Sequence, residues 1–215
     1  MRPLPEIRGL KYPDAFVARH FFKRGLDRRT GRVAELGCGT GNNLGLYGAF
    51  GWSMTGVDIS AGALADCRWN LGHAVTLIEA DLSGGLPDLG APPVDVLLIP
   101  NLLCYLTDAQ ARAVLTAARA RLAPGAEIFI RTRLVDDYRF GRGVEEEPDG
   151  WRLATPETGE EGLFNLFYTE ARLVELLAGA LGLAEPEVFH VRFDNRQAGR
   201  RIPGNSDIVI WGAVS

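Results

Sequence analysis

The sequence predicts an α/β fold: a Rossmann-like, mostly parallel sheet with helices on both faces. Three observations carry this reading. Short β-rich runs alternate with helical patterns along the chain. The run Val94–Ile99 (VDVLLI) is almost continuously apolar, as a strand buried on both faces must be. The first run, Val33–Leu36, leads directly into three glycines at alternate positions, Gly37, Gly39 and Gly41.

The elements follow in order. After Val33–Leu36 come β-rich runs at Trp52–Val57, Ala74–Ile78 and Val94–Ile99, and Ile128–Ile130 lies in a fifth. A helix over Ala61–Leu71 follows Ser60, whose hydroxyl suits an N-cap. A second helix spans Thr107–Leu122. Thr107 and Gln110 form a capping box, Ala111, Val114, Leu115 and Ala118 make an apolar stripe, and Pro124-Gly125 is its stop. Asp81 to Pro93 is rich in glycine and proline and reads as a loop. Residues 134–162 hold nine acids against three arginines and are full of turn formers. Leu163–Tyr168 precedes a helix at about Glu170–Leu181, capped by Thr169. Glu187–Phe193 and Asp207–Ala213 are the last strands. The polar loop Asp194–Ser206 joins them without a helix, so they form an antiparallel hairpin.

Composition bounds the function. The 215 residues suffice for one domain, and 47% apolar with 23% charged residues excludes disorder. No apolar run approaches the ~20 residues of a membrane span, and the N-terminus lacks the apolar core of a secretory signal. Cys38, Cys67 and Cys104 have no metal-ligand spacing and read as free thiols of a cytoplasmic protein, with no metal expected. A net charge of −4 argues against a general nucleic-acid binder. Residues 1–32 nevertheless carry nine Arg/Lys against three acids.

The segment Val33–Asn42 (VAELGCGTGN) holds the chemistry. A turn this tight after a strand needs glycine, for positive φ or for close approach of a ligand. The spacing is not the G-x-G-x-x-G of dinucleotide folds, and no P-loop sequence is present. A plain tight turn stays open for the loop alone. Two carboxylates raise its meaning: Asp58 ends the second strand, where it can accept from a ribose diol, and Asp81 ends the third, where it can accept from an adenine amine.

These motifs resemble those of class I S-adenosylmethionine-dependent methyltransferases. E-L-G-C-G-T-G is similar to the first motif, G-V-D-I-S and E-A-D-L to the ends of the second and third strands, and VDVLLIPNLLCYL to the fourth strand and its turn. The resemblance covers about residues 30–215 and implies a seven-stranded sheet of order 3-2-1-4-5-7-6 with the last strand antiparallel. It implies S-adenosylmethionine as cofactor and S-adenosylhomocysteine as product. Glu35 and the loop Gly37, Cys38, Gly39 and Gly41 would surround the methionine portion. Asp58 would hold the ribose, with Ile59 beside the adenine; Asp81 and Leu82 would contact the adenine; Asn101 and Leu102 would lie near the sulfonium. The segment Lys11–Arg19 resembles the N-terminal lid of small-molecule members, which makes Tyr12 and Arg19 candidates for the methionine end. The alternative is a surface helix with Phe16, Phe21 and Phe22 on the core.

The expected organisation is one domain, 1–215, with a lid segment at 1–30 and an insertion at 134–162 near the active site. No motif marks a general base. Tyr105 and His20 are the candidates, and His73 and His190 read as structural. The turn Ile99–Tyr105 lacks the N-P-P-Y pattern of amide- and base-nitrogen methylating members. The expected acceptor is a small molecule reacting at nitrogen or oxygen. An amine is favoured, because it can attack first and lose its proton afterwards; Glu145, Glu146 and Glu147 beside Trp151 could attract a cation, the alternative being a solvated acidic loop that keeps the protein soluble. RNA or protein methylation and a non-catalytic binding module are the rival readings, and the oligomeric state is open.

Overall fold

A computed structural model describes residues 2–197 and 199–215. Met1 of the N-terminal segment and Ala198 of the hairpin connection lie outside the described residues, as does the side chain of Gln197. Seven strands form the main sheet: β1 (Arg32–Leu36), β2 (Ser53–Asp58), β3 (Val75–Glu79), β4 (Val94–Pro100), β5 (Leu122–Arg133), β9 (Glu187–Gln197) and β10 (Arg200–Ala213). Their order is β3-β2-β1-β4-β5-β10-β9. Strands β1 to β5 run parallel, and β10 inserts antiparallel between β5 and β9. This is the order and polarity that the resemblance implies.

Alternation along β4 accounts for its continuous apolar run. Val96 and Leu98 face one core, and Leu97 and Ile99 face the other. The first core is covered by α1 (Ala15–Lys23), α2 (Asn42–Ala49) and α3 (Ala61–Leu71), the second by α4 (Asp108–Arg119) and α5 (Glu170–Leu181). Ser60, Thr107 and Thr169 cap α3, α4 and α5 as their positions predict, and Thr107 with Gln110 completes the capping box. Burying apolar side chains on both faces is the main stabilising term of such a sheet.

Four expectations need correction. Helix α4 ends at Arg119, and Leu122 already belongs to β5. Pro124 and Gly125 sit within that strand, where the register to β4 shifts between Val94 and Val96. Between β1 and β2 no helix is expected from the sequence, yet α2 begins directly after the glycine loop. The hairpin loop is far shorter than Asp194–Ser206, because main-chain pairing extends both strands to Gln197 and Arg200. Polar side chains do not prevent a ladder whose bonds are made by backbone. Finally, the acidic stretch after β5 contains strands β6 (Gly143–Glu147) and β7 (Gly150–Leu153), which join β8 (Phe164–Leu166) in a separate three-stranded antiparallel sheet.

Candidate functional site

A cleft opens at the carboxyl ends of β1, β2 and β4. It has two halves, of about 600 and 470 Å³, which share Gly37, Pro100 and Asn101. Each half has the size of a small-molecule pocket.

The glycine loop forms the junction. Gly37, Gly39 and Gly41 have φ of 75°, 50° and 81°, a region that side chains disfavour. At Gly41 a Cβ would also lie 2.5 Å from Cys67 Sγ, so the loop packs directly on α3. At Gly39 a Cβ would meet nothing within 4 Å, which leaves the backbone open to a ligand. The Gly39 N–H donates to Asp58 Oδ2 at 2.8 Å, and the Ser60 N–H to Asp58 Oδ1 at 2.9 Å. The first bond ties the loop to the end of β2, and together they fix the carboxylate.

The larger half is lined by Glu35, Cys38, Gly39 and Asn43 from below, and by Tyr12 and Asp14 from the N-terminal segment. Glu35 is 1% exposed. Its Oε1 accepts from Asn43 Nδ2 at 2.7 Å, and its Oε2 is a buried atom without a partner. Burial pushes the Glu35 carboxyl up to about 8, against the pull of the Asn43 bond. Asn43 Oδ1 in turn accepts the Asp14 N–H at 2.8 Å, and Asn42 Nδ2 donates to the Tyr12 carbonyl at 3.0 Å. The start of α2 therefore anchors the N-terminal segment over the loop. Gly9 packs so closely on Thr40 that a Cβ there would lie 2.6 Å from Thr40 Oγ1.

The smaller half gathers Asp58, Ile59, Asp81, Leu82, Leu102 and Tyr105. Asp81 Oδ1 accepts the Ser83 N–H at 2.8 Å, and bonds from the Ser83 side chain and backbone hold its carboxyl below the usual range. Asn101 has φ of 56° and lines both halves. Its N–H donates to the Arg131 carbonyl at 2.8 Å, which pins this left-handed residue at the end of β4.

The structure thus brings Tyr12, Glu35, Gly37, Cys38, Gly39, Asp58, Ile59, Asp81, Leu82, Asn101 and Leu102 to one cleft. Gly41 stands at the foot of α2, behind the loop. Two candidates lie elsewhere. Arg19 stacks its guanidinium over Phe189 of β9, 4.9 Å from the ring centre. His20 is fully buried between Phe129 and Trp211, with Nε2 3.4 Å from Glu127. Its position on the inward face of α1, beside Val17 and Phe21, keeps it out of the cleft. Tyr105 lines the cleft, but its hydroxyl donates to Glu160 Oε1 at 2.8 Å and accepts from Arg133. Burial raises its pKa further, so it is a wall with a fixed hydroxyl and a poor base. Cys104 is buried, and burial pushes its thiol up to about 11.

The acids of the 134–162 segment are largely committed. Glu146 pairs with Arg152, and Glu147 accepts the Asp108 N–H at the start of α4. None of Glu145, Glu146 and Glu147 lines either half of the cleft. Glu160 is buried with Arg133 and Arg139. Burial opposes its ionisation, but the Arg133 charge and the hydrogen bonds from both arginines and Tyr105 hold it down at about 2. Asp14 and Asn43 were not legible as site residues. The one local signal was a pair of asparagines opening a helix straight after the glycine loop.

Residues 33–125 match the family model of a methyltransferase domain. No curated protein matches the sequence. Solved structures share the fold. A SAM-dependent methyltransferase from Methanosarcina mazei is 19% identical, with a TM-score of 0.66 over 85% of this chain and 92% of that one. A 1,6-didemethyltoxoflavin-N1-methyltransferase from Burkholderia thailandensis, with 1,6-didemethyltoxoflavin and S-adenosylhomocysteine bound, is 20% identical, with a TM-score of 0.62 over 93% and 76%. An N-methyltransferase from Bradyrhizobium japonicum in complex with S-adenosylhomocysteine is 15% identical, with a TM-score of 0.61 over 91% and 84%.

Proposed function

We propose that this chain, a class I S-adenosylmethionine-dependent methyltransferase, passes a methyl group to a nitrogen or oxygen of a small-molecule acceptor. The observation that carries the proposal is the two-part cleft whose halves meet at Gly37, Pro100 and Asn101. One half offers the acids suited to an adenosyl group. The other has room for a methionine end and a small acceptor beside it.

The residues present fit the cofactor. The unpartnered Oε2 of Glu35 suits an ammonium group, and the open face of Gly39 admits close backbone contact. Glu35, Tyr12 and the glycine loop would hold the methionine portion. Asp58 would accept from the ribose diol with its remaining lone pairs, and Ile59, Asp81 and Leu82 would surround the adenine. Asn101 and Leu102 would border the reacting centre. When bound, S-adenosylmethionine supplies a methyl group on a sulfonium, a strong electrophile that leaves a neutral thioether. The chain's part is to hold the two reactants in line and to exclude water. Tyr105, fixed by Glu160 and Arg133, acts on this reading as a wall. The chain is then one catalytic domain, with residues 1–30 over the methionine end and 134–162 beside the cleft.

A small acceptor also agrees with the fate of the N-terminal basic residues. Four of the nine basic residues, Arg2, Arg8, Lys23 and Arg24, pair with Glu6, Asp66, Glu187 and Glu127, and Arg32 is buried on backbone carbonyls, which reduces the charge open to a phosphate backbone. Calorimetry with S-adenosylmethionine and S-adenosylhomocysteine tests the cofactor. S-adenosylhomocysteine release across a panel of small amines, phenols and alcohols tests the reaction. Binding without turnover on any of them would favour a non-catalytic module, and salt-sensitive RNA binding would favour a nucleic-acid substrate.

A further inference from the structure

We infer that the acceptor is an amine with an apolar body, bound as a cation, and that Asp14 is the carboxylate that selects it; the inference rests on the methyl-transfer reading above. Asp14 lines the larger half of the cleft together with Asn101. It is fixed from three directions. Its N–H donates to Asn43 Oδ1 at 2.8 Å, its Oδ1 accepts the Phe16 N–H at 2.7 Å, and its Oδ2 pairs with Arg131. Such a side chain is already oriented before a ligand arrives.

The charge around it is one cation short. Arg131 divides its guanidinium between Asp14 and Asp207, two carboxylates for one positive charge, in side chains that are 16%, 15% and 7% exposed. The neighbouring arginines, Arg133 and Arg139, are paired with Glu160 and Asp137; the Arg133 charge also reaches Asp207, whose carboxyl is nevertheless pushed up by burial, a sign that the group is short of positive charge. A poorly solvated group with a net negative charge attracts a cation more strongly than an exposed one does.

The cleft repeats the sign. Among the described residues lining its two halves, the carboxyl groups are those of Asp14, Glu35, Asp58 and Asp81, Glu35 being held protonated by burial up to about 8, and there is no arginine, lysine or histidine. An acceptor bearing a carboxylate or phosphate against Asp14 would meet like charge there. The buried Oε2 of Glu35 in the same half is the acceptor assigned above to the cofactor's ammonium, so Asp14 is the carboxylate of that half left for the acceptor. Leu10, Tyr12, Pro13 and Pro100 supply largely apolar walls. An ammonium has no lone pair, so the bound amine gives one proton to water before its nitrogen can form the new bond to carbon. Asp14 can accept a hydrogen bond from the nitrogen before and after that loss.

The test compares three probes of one shape: phenethylamine, 2-phenylethanol and 3-phenylpropanoate. Their binding to the full chain saturated with S-adenosylhomocysteine is measured by calorimetry. Phenethylamine is expected to bind at least tenfold more tightly than the alcohol, and the carboxylate not at all. Asp14→Asn keeps an N-cap for α1 and is expected to lower phenethylamine affinity at least fivefold, with S-adenosylhomocysteine affinity within threefold of wild type. Equal or tighter binding of the alcohol or the carboxylate, no binding of any probe to the loaded protein, or an unchanged amine affinity in Asp14→Asn would overturn the inference. Failure of S-adenosylhomocysteine itself to bind would instead overturn the methyl-transfer reading on which it rests.

Discussion

The Gly39 N–H donates to Asp58 Oδ2 across 2.8 Å, so the glycine loop and the end of β2 form one unit. Asp58 therefore has two tasks in the proposed site: it shapes the loop that lies under the ligand, and it faces the ligand itself.

Asp58→Ala removes both. Charge-assisted hydrogen bonds are worth about 1.5–3 kcal/mol each, so S-adenosylmethionine affinity should fall at least tenfold by calorimetry. Asp58→Asn can still accept one backbone bond and should lose less. Gly39→Val should abolish binding, because a branched side chain at φ of 50° is strained and would project into the open face of the loop. An unchanged affinity in Asp58→Ala with the fold intact would remove Asp58 from the cofactor site.

Glu35 makes the free protein sensitive to pH. Its carboxyl titrates near 4.5 when unfolded and at about 8 when buried. The folded state therefore holds more protons between those values, and stability is lost as pH rises through that window. At about 1.4 kcal/mol per unit the loss amounts to a few kcal/mol. The groups facing Glu35 are Asp58 and Cys67, which raise its carboxyl, and the Asn43 side chain and Leu44 backbone of α2, whose hydrogen bonds lower it. Urea unfolding at pH 5.5, 7 and 8.5 should show the decline, and Glu35→Gln should flatten it while weakening cofactor binding. A wild-type slope unchanged in Glu35→Gln would show that other groups cause it.

Glu160 has the opposite sign. Held at about 2 when folded, it contributes stability above about pH 4.5 that is lost as pH falls toward 2, on the order of 2–3 kcal/mol. Glu160→Gln would leave Arg133 and Arg139 short of a counter-charge in a buried setting, at a cost of about 3–5 kcal/mol. It would also free the Tyr105 hydroxyl at the cleft wall. Unfolding at pH 7 and pH 3 checks the first effect; the difference between wild type and variant should shrink at pH 3.

The sheet was legible because its signals are local. The continuous apolar run Val94–Ile99 and the caps at Ser60, Thr107 and Thr169 each specify an element within a few residues. The glycine loop and its two acids were legible for the same reason. What failed depended on helix rotation and on distant partners. Val17, His20 and Phe21 are spaced to share one helical face, and burial of that face carries His20 inward and leaves Arg19 on Phe189. The partners of Asp14 lie at Asn43 and Arg131, and that of Glu147 at Asp108, so no spacing in the sequence joins them. The strand Gly143–Glu147 was hidden by three consecutive glutamates, which are poor strand formers and are held by pairing with β7.

Asn101 separates backbone geometry from side-chain chemistry. With φ of 56° it occupies a region that asparagine tolerates better than most residues and glycine tolerates best. Its N–H is bound to the Arg131 carbonyl, so the conformation is imposed by the end of β4 and does not depend on the amide group. Asn101→Gly should therefore keep the fold, with stability within about 1 kcal/mol of wild type. Asn101→Val places a β-branched side chain in the same conformation and should cost about 1–3 kcal/mol. If the amide orients the acceptor beside the reacting centre, Asn101→Gly should also lower kcat at least tenfold for the best acceptor while S-adenosylhomocysteine affinity changes little. Urea unfolding together with S-adenosylhomocysteine release measures both. A glycine variant with full activity would assign the left-handed residue to the turn alone, and would move the positioning of the acceptor to Asp14 and the walls around it.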